Sequence, residues 1–131
     1  MDKDINNTES IREQQVDLSD EIKARIIEDL KEVPKGRNGF LVIKGPNIGE
    51  KFFINKDSIS VGRSPESDIF LDDITVSRQH AFINSQKEGL ALEDAGSLNG
   101  SYVNGERVDS CLLKSGDRVQ IGKYIFLYFT T

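Results

Sequence analysis

Three separate stretches of the sequence together have the side-chain types needed to bind a small dianion. Arg63 stands at the end of an apolar run, Ser77 and Arg78 precede a second run, and Asn99 lies in a Ser-Leu-Asn-Gly turn sequence. A phosphorylated side chain has nearly two negative charges and needs charge-assisted donors from several directions. The two arginines supply positive charge and the serine supplies a hydroxyl. Together these residues predict a site for a phosphorylated peptide.

The elements that must position these side chains are short β-strands. From Gly39 onward, short apolar or alternating runs are separated by turn sequences such as Gly45-Pro46-Asn47 and Ser115-Gly116-Asp117. This spacing predicts an all-β sandwich of two packed sheets with about ten to eleven strands. Asn104-Gly105 predicts a type I′ hairpin turn. The predicted strands are 40–43, 51–54, 58–62, 69–71, 80–84, 90–93, 101–103, 106–108, 118–121 and 124–129.

The first 36 residues differ in composition from the rest of the chain. They hold six Lys/Arg against ten Asp/Glu, a net charge of −4, whereas the remainder carries −1. Residues 1–16 show neither helical nor strand periodicity, so we expect them to be disordered when unbound. The expected organisation is an acidic, largely flexible tail over residues 1–36 and a folded domain over residues 37–131.

A short helix is expected inside that tail, near residues 19–32. Ser19 is a suitable N-cap, and acidic residues follow it in the first turn. The stripe of apolar residues at helical spacing could pack on the domain, which is the simpler alternative, or stay free for a partner. Its members are Ile22, Ile26, Leu30 and Val33.

Composition and charge argue against several classes of function. The net charge of −5 disfavours a nucleic-acid binder, which normally has a basic surface. No apolar run is long enough to cross a bilayer and no secretory signal is visible, which predicts a cytoplasmic protein. The chain has one cysteine, Cys111, and one histidine, His80, so neither a disulfide nor a zinc site is expected. We therefore expect no metal and no cofactor.

The motifs resemble those that define forkhead-associated (FHA) domains, which are β-sandwich modules that bind phosphothreonine peptides. The residues that carry the resemblance are Gly62-Arg63, Ser77-x-x-His80 and Asn99-Gly100, within roughly residues 39–131. The resemblance implies that Arg63 and Ser77 hold the phosphate and that Arg78 assists. It also implies that Asn99 forms a hydrogen bond with the peptide backbone beside the phosphothreonine.

The same resemblance implies architectural roles for Gly62, His80 and Gly100. In particular, His80 would brace the loop that presents Ser77. The chain departs from many family members at Leu98, where they have threonine or serine, so the phosphate should depend more heavily on the arginines.

A closer resemblance is to an actinobacterial group of FHA proteins that inhibits 2-oxoglutarate dehydrogenase. It is carried by Gly45-Pro46-Asn47-x-Gly49, residues 68–73 and residues 96–100. It implies that the unphosphorylated protein binds its target enzyme through the FHA face. Phosphorylation of a tail threonine by a Ser/Thr protein kinase would then make the tail bind that face instead. Thr8, the only threonine before the domain, is the candidate, although the group usually has paired threonines after glutamate.

These observations favour a signalling regulator whose FHA face binds phosphothreonine peptides, a metabolic enzyme, or its own phosphorylated tail. The alternative is a constitutive phosphothreonine-dependent adaptor with an inert tail. An enzyme is a remote third hypothesis, because Ser77 and His80 lack a Gly-x-Ser-x-Gly elbow. A metal site is also disfavoured, because the acidic residues of the domain fall at strand ends and turns, where they are commonly solvated. These are Asp68, Asp72, Asp73, Glu93 and Asp94.

Overall fold

The alternation of apolar and polar residues gives eleven strands in two packed sheets within residues 19–131, the part of the chain that the computed structural model describes. The predicted all-β sandwich is thereby confirmed. The strands are β1 (Asn38–Lys44), β2 (Lys51–Phe53), β3 (Ser58–Gly62), β4 (Ile69–Phe70), β5 (Ala81–Gln86), β6 (Gly89–Asp94), β7 (Ser101–Val103), β8 (Glu106–Val108), β9 (Ser110–Leu112), β10 (Arg118–Ile121) and β11 (Tyr124–Thr130).

The two sheets have six and five strands. The six-stranded sheet has the order β2-β1-β11-β10-β7-β8, and the five-stranded sheet has the order β4-β3-β5-β6-β9. Neighbouring strands are antiparallel except for β3 and β4, which are parallel. Apolar side chains from both sheets fill the space between them, among them Val61, Ile83, Leu92, Val119 and Phe126. This core holds the strand ends, and therefore the loops between them, in fixed positions.

Helix α1 (Asp20–Lys31) covers the outer face of the six-stranded sheet. The predicted N-cap is present, since the Ser19 Oγ accepts a hydrogen bond of 3.2 Å from the Ile22 N–H. Strand β1 is buried on both faces because its side chains alternate between the inter-sheet core and the cluster under the helix. That cluster comprises Val33, Leu41, Ile43, Ile125 and Phe129, with Ile26, Leu30, Phe53 and Leu127 at its edge. Ile26 and Leu30 of the predicted stripe thus pack on the domain together with Val33, which follows the helix, whereas Ile22 is 40% exposed.

One strand was absent from the prediction, and one turn was predicted correctly. Strand β9 has only three residues, of which Cys111 alone is half-buried, and it exists because Cys111 pairs with Leu92 of β6, a contact that so short a sequence does not reveal. The turn between β7 and β8 has positive φ at both Asn104 (52°) and Gly105 (87°), as a type I′ turn requires.

No helix within residues 19–131 has the length and apolar character needed to cross a membrane. The expected disorder of residues 1–16 and the candidate phosphosite Thr8 both lie outside the described residues.

Candidate phosphate-binding site at one end of the sandwich

The predicted binding residues meet where three loops converge, namely those that follow β3, β4 and β6. The Arg63 N–H donates to the Ser77 carbonyl at 2.9 Å, which joins the first loop to the second. The second loop is joined to the third, because the Asn99 Nδ2 donates to the Thr75 carbonyl at 3.0 Å. The Leu98 N–H also donates to the Ser77 Oγ at 3.0 Å. The fold thus brings together residues up to 36 positions apart in the sequence.

Arg63 is half-buried and its side chain is anchored at one atom. The Nε donates to the Val76 carbonyl at 3.0 Å, which fixes the plane of the guanidinium group. Among residues 19–131, no carboxylate is recorded as an ion-pair partner of Arg63. The two Nη groups can therefore form the two parallel hydrogen bonds that guanidinium makes with an oxyanion.

The Ser77 hydroxyl is oriented as a donor. Its oxygen accepts the Leu98 N–H, so the hydroxyl hydrogen points elsewhere and can be donated to a ligand. The Ser77 N–H is also used, because it donates to the His80 Nδ1 at 3.0 Å. The backbone and the acceptor side of this serine are thus fixed, while its donor remains for a ligand.

His80 is fully buried and bridges two loops. Because its Nδ1 accepts from Ser77, the ring proton lies on Nε2, which donates to the Gly100 carbonyl at 2.9 Å. Burial lowers the pKa of His80 below its usual value of 6.5, although the bond to Gly100 and the charge of Asp94 oppose this shift. The imidazole is therefore neutral near pH 7. Its two ring nitrogens connect the Ser77 loop to the Gly100 turn.

Gly62 and Gly100 occupy positions where a side chain would not fit. A Cβ at Gly62 would overlap the Arg78 carbonyl oxygen, because the two backbones run in close contact there. Gly100 has a φ of 87°, which side-chain-bearing residues rarely adopt, and a Cβ there would lie 2.8 Å from the Arg107 Nε. Gly62 thus allows the close approach of the Arg78 backbone, and Gly100 supplies the left-handed backbone conformation that follows Asn99.

Arg78 and Asn99 complete the set of predicted residues. Arg78 is exposed, and its carbonyl accepts the Ser64 N–H at 3.2 Å, so its backbone is fixed while its side chain faces solvent. Asn99 directs its Nδ2 inward to the Thr75 carbonyl, which leaves its Oδ1 to accept a hydrogen bond from a ligand.

Asp94 is a loop brace that the sequence prediction had grouped with solvated carboxylates. Its Oδ2 accepts the N–H groups of Gly96 and Ser97 at 3.0 Å, and its Oδ1 accepts the Ser97 and Ser101 hydroxyls at 2.6 Å. Burial alone would raise the pKa of Asp94, but these hydrogen bonds outweigh it and the net pKa is lowered. The carboxylate therefore shapes the loop that carries Asn99. The Asp-x-x-Ser spacing, typical of capping motifs, was the available sequence signal.

Asp73 has a comparable role in the loop after β4. It accepts hydrogen bonds from the Thr75 N–H, at 2.9 Å, and from the Thr75 hydroxyl, and it forms an ion pair of 3.2 Å with Lys123. The Thr75 Oγ1 in turn accepts the Lys123 N–H at 3.0 Å. This network ties the β4–β5 loop to the turn between β10 and β11.

Comparison with known proteins agrees with this architecture. The family model described as the FHA domain matches residues 59–122. The chain is 48% identical over 98 residues to the glycogen accumulation regulator GarA of Mycolicibacterium smegmatis, and the match covers 75% of this chain and 62% of GarA. It is 50% identical over 96 residues to the oxoglutarate dehydrogenase inhibitor of Corynebacterium diphtheriae, covering 72% and 67% of the two chains.

Among solved structures, the FHA domain of CT664 from Chlamydia trachomatis is similar with a TM-score of 0.67. It is 32% identical, and the match covers 72% of this chain and 98% of that domain. The sandwich and these relatives define an FHA-type β-domain. The chain belongs to the FHA family, and its curated relatives carry the names of metabolic regulators. The match spans less than two thirds of GarA.

Proposed function

We propose that this protein is a non-catalytic, cytoplasmic signalling regulator that binds phosphothreonine peptides through Arg63, Ser77, Arg78 and Asn99. The single observation that supports this assignment is that Arg63 and Ser77 each use only some of their polar atoms in hydrogen bonds within the loops. One part of each side chain is bonded inward to the loops, and the remaining donors are left for a ligand. Such preorganisation reduces the entropy lost on binding.

Hydrogen bonds to the phosphate supply a large part of the binding energy of the proposed site. A hydrogen bond to a charged group contributes roughly 1.5–3 kcal/mol, so two arginines and a serine supply roughly 5–9 kcal/mol before ordering costs. A dissociation constant of 1 μM corresponds to about −8 kcal/mol, so micromolar affinity also requires contacts with the peptide backbone, such as the one proposed for Asn99.

For the target, we propose 2-oxoglutarate dehydrogenase, by analogy with the relative named for inhibiting that enzyme. We propose further that residues 1–36 act as a regulatory tail in which phosphorylated Thr8, made by a Ser/Thr protein kinase, binds the same face and displaces the target.

The position of α1 supports this switch. A Cβ at Gly49 would lie 3.7 Å from the Arg25 side chain, so the first half of α1 lies beside the β1–β2 loop. A Cβ at Gly45 would lie 3.0 Å from the carbonyl of Lys123, and Lys123 is bonded to Thr75. The helix thus begins at the same end of the sandwich as the candidate site.

The tether is long enough for self-binding. Thr8 precedes Ser19 by eleven positions. A flexible segment of that length has a root-mean-square span of roughly 18 Å and a fully extended reach of roughly 36–40 Å. With an effective concentration on the order of 1 mM and a dissociation constant of about 10 μM, about 99% of phosphorylated molecules would be self-bound.

One titration distinguishes the proposed switch from the alternative, a constitutive adaptor with an inert tail. A synthetic tail peptide with phospho-Thr8 is added to the isotope-labelled chain and followed by nuclear magnetic resonance. Self-recognition predicts shifts centred on Arg63, Ser77, Arg78 and Asn99. Shifts there with unrelated phosphothreonine peptides but not with the tail peptide would favour the adaptor.

Arg63→Ala should weaken phosphothreonine-peptide binding by roughly 150-fold or more, the equivalent of two charged hydrogen bonds, while the domain stays folded. Arg37→Ala is the matched control, because it removes an exposed arginine that precedes β1 and is not among the proposed binding residues. The Arg37 guanidinium lies 4.3 Å from the Phe53 ring centroid. Calorimetry measures the affinity and circular dichroism the fold. Equal affinities for the two variants would contradict the proposed role of Arg63.

A further inference from the structure

The two most exposed large apolar side chains within residues 19–131 are Ile74 and Leu98, which are 92% and 86% exposed. Both lie on loops that build the candidate site. Ile74 directly precedes Thr75, Leu98 directly precedes Asn99, and the Asn99 Nδ2 donates to the Thr75 carbonyl at 3.0 Å. The two aliphatic side chains therefore stand at the rim of one site, one on each side of a hydrogen bond that joins the loops.

Neither side chain is needed to hold its loop. Leu98 contributes its backbone N–H to the Ser77 Oγ, which every residue except proline would supply. The β4–β5 loop is held by Asp73, Thr75 and Lys123, and Ile74 itself is almost wholly in solvent. Single exposed apolar residues are ordinary on protein surfaces, but here two flank a cationic centre on adjacent loops.

We propose that Ile74 and Leu98 are apolar anchors for a folded, unphosphorylated protein partner, with an acidic side chain of that partner in the place of the phosphate. This inference rests on the proposed function, because it uses the same arginines. A carboxylate offers Arg63 and Arg78 only about half of the charge of a phosphate. The missing affinity must come from contacts outside the phosphate site, and buried aliphatic side chains at an interface centre supply it.

Charge complementarity defines the occupant. The loops of the candidate site carry two cationic side chains, the half-buried Arg63 and the exposed Arg78. The matching partner surface is an acidic residue flanked by apolar groups, on a fold rigid enough to present all of them together. A short phosphopeptide meets the arginines with its phosphate and depends on the anchors much less. The two ligand classes therefore share the face but differ in which residues they require.

The test uses the full chain with the double substitution Ile74→Ser and Leu98→Ser. The two probes are purified 2-oxoglutarate dehydrogenase from the same organism and a phosphothreonine peptide flanked by alanines. We expect the affinity for the enzyme to fall by about 30-fold or more, equivalent to about 2 kcal/mol, and the peptide affinity to change by less than about threefold. Leu112→Ser is the matched control, because Leu112 is 46% exposed on edge strand β9 and should leave both affinities unchanged.

Several outcomes would overturn the inference. If the double variant binds the enzyme as tightly as the wild type, Ile74 and Leu98 are not anchors for it. If the affinities for the enzyme and for the peptide fall equally, the two side chains belong to the peptide site. Wild-type protein that does not bind the enzyme would also overturn it, while the peptide titration would still report separately on phosphothreonine recognition. If the double variant instead loses self-association in sedimentation, with enzyme binding intact, the anchors serve a second copy of the chain.

Discussion

At the residue scale, the candidate site depends on a neutral imidazole. His80 accepts one hydrogen bond from Ser77 and donates one to the Gly100 carbonyl, so a second ring proton would point at the Ser77 N–H. Burial lowers the pKa of His80 from 6.5. His80 is therefore protonated less readily in the folded chain than in the unfolded chain, where it has its ordinary pKa. This contribution to stability is complete above pH 6.5 and is lost as the pH falls below that value.

We predict that acidification destabilises the wild-type domain more than a His80→Gln variant. Glutamine cannot form both hydrogen bonds, so the variant should lose about 1–3 kcal/mol at about pH 7.5. Its free energy of unfolding should then change less between about pH 7.5 and about pH 5.5. Urea denaturation of both proteins at the two pH values measures the difference. The carboxylates with lowered pKa, including Asp94, titrate below this window. Identical pH dependence in both proteins would exclude His80 as the source.

At the element scale, α1 owes its position to packing. A helix of 12 residues is marginal in isolation, so its stability must come from its contacts with the outer face of the six-stranded sheet. Ile26, Leu30 and Val33 make those contacts, whereas Ile27 on the same helix is 55% exposed. This docking fixes the position of Ser19, and therefore the distance that separates it from the candidate site.

Leu30→Ala should loosen the helix without unfolding the sandwich. The side chain is half-buried, so the expected cost is about 1–2 kcal/mol, below that of a fully buried leucine. Hydrogen exchange of the α1 amides should accelerate by roughly 5- to 30-fold while the core strands keep their protection. Ile27→Ala removes an exposed aliphatic side chain from the same helix and should change the exchange little. Equal acceleration in the two variants would mean that this face does not hold the helix.

At the scale of the whole molecule, one end of the sandwich combines three features. The converging loops present Arg63 and Ser77, the apolar anchors Ile74 and Leu98 flank them, and α1 begins beside the β1–β2 loop at that end. Under the proposed switch, a partner and the phosphorylated tail would compete for this one face, and that competition would require no change in the fold.

Phosphorylation of Thr8 should make the molecule more compact and weaken its binding to 2-oxoglutarate dehydrogenase. With an effective tail concentration on the order of 1 mM and a dissociation constant of about 10 μM, the apparent affinity should fall by about 100-fold. Small-angle scattering measures the radius of gyration, and an inhibition assay measures the affinity. Kinase-treated Thr8→Ala is the control and should behave like the unphosphorylated chain. A phosphorylated protein with unchanged radius and unchanged inhibition would eliminate the switch.

The sequence by itself determined ten of the eleven strands within residues 19–131, the Asn104-Gly105 turn, the helix with its Ser19 cap, and the family motifs. These follow from local periodicity and from the backbone preferences of individual residues, which act over a few positions. It also predicted the set of binding residues, though not how their donors are divided between loop and ligand. That division requires contacts such as Leu98 with Ser77, which are 21 positions apart.

Only the tertiary structure decided the remaining features. Asp94 and Asp73 became loop braces because folded turns bring hydroxyl and amide donors around them. Strand β9 exists because β6 offers it a hydrogen-bonding edge. The exposure of Ile74 and Leu98 is likewise a property of the folded surface, since the sequence does not distinguish an aliphatic residue in the core from one at a rim. Each depends on which distant segments meet, and packing of the two sheets settles that.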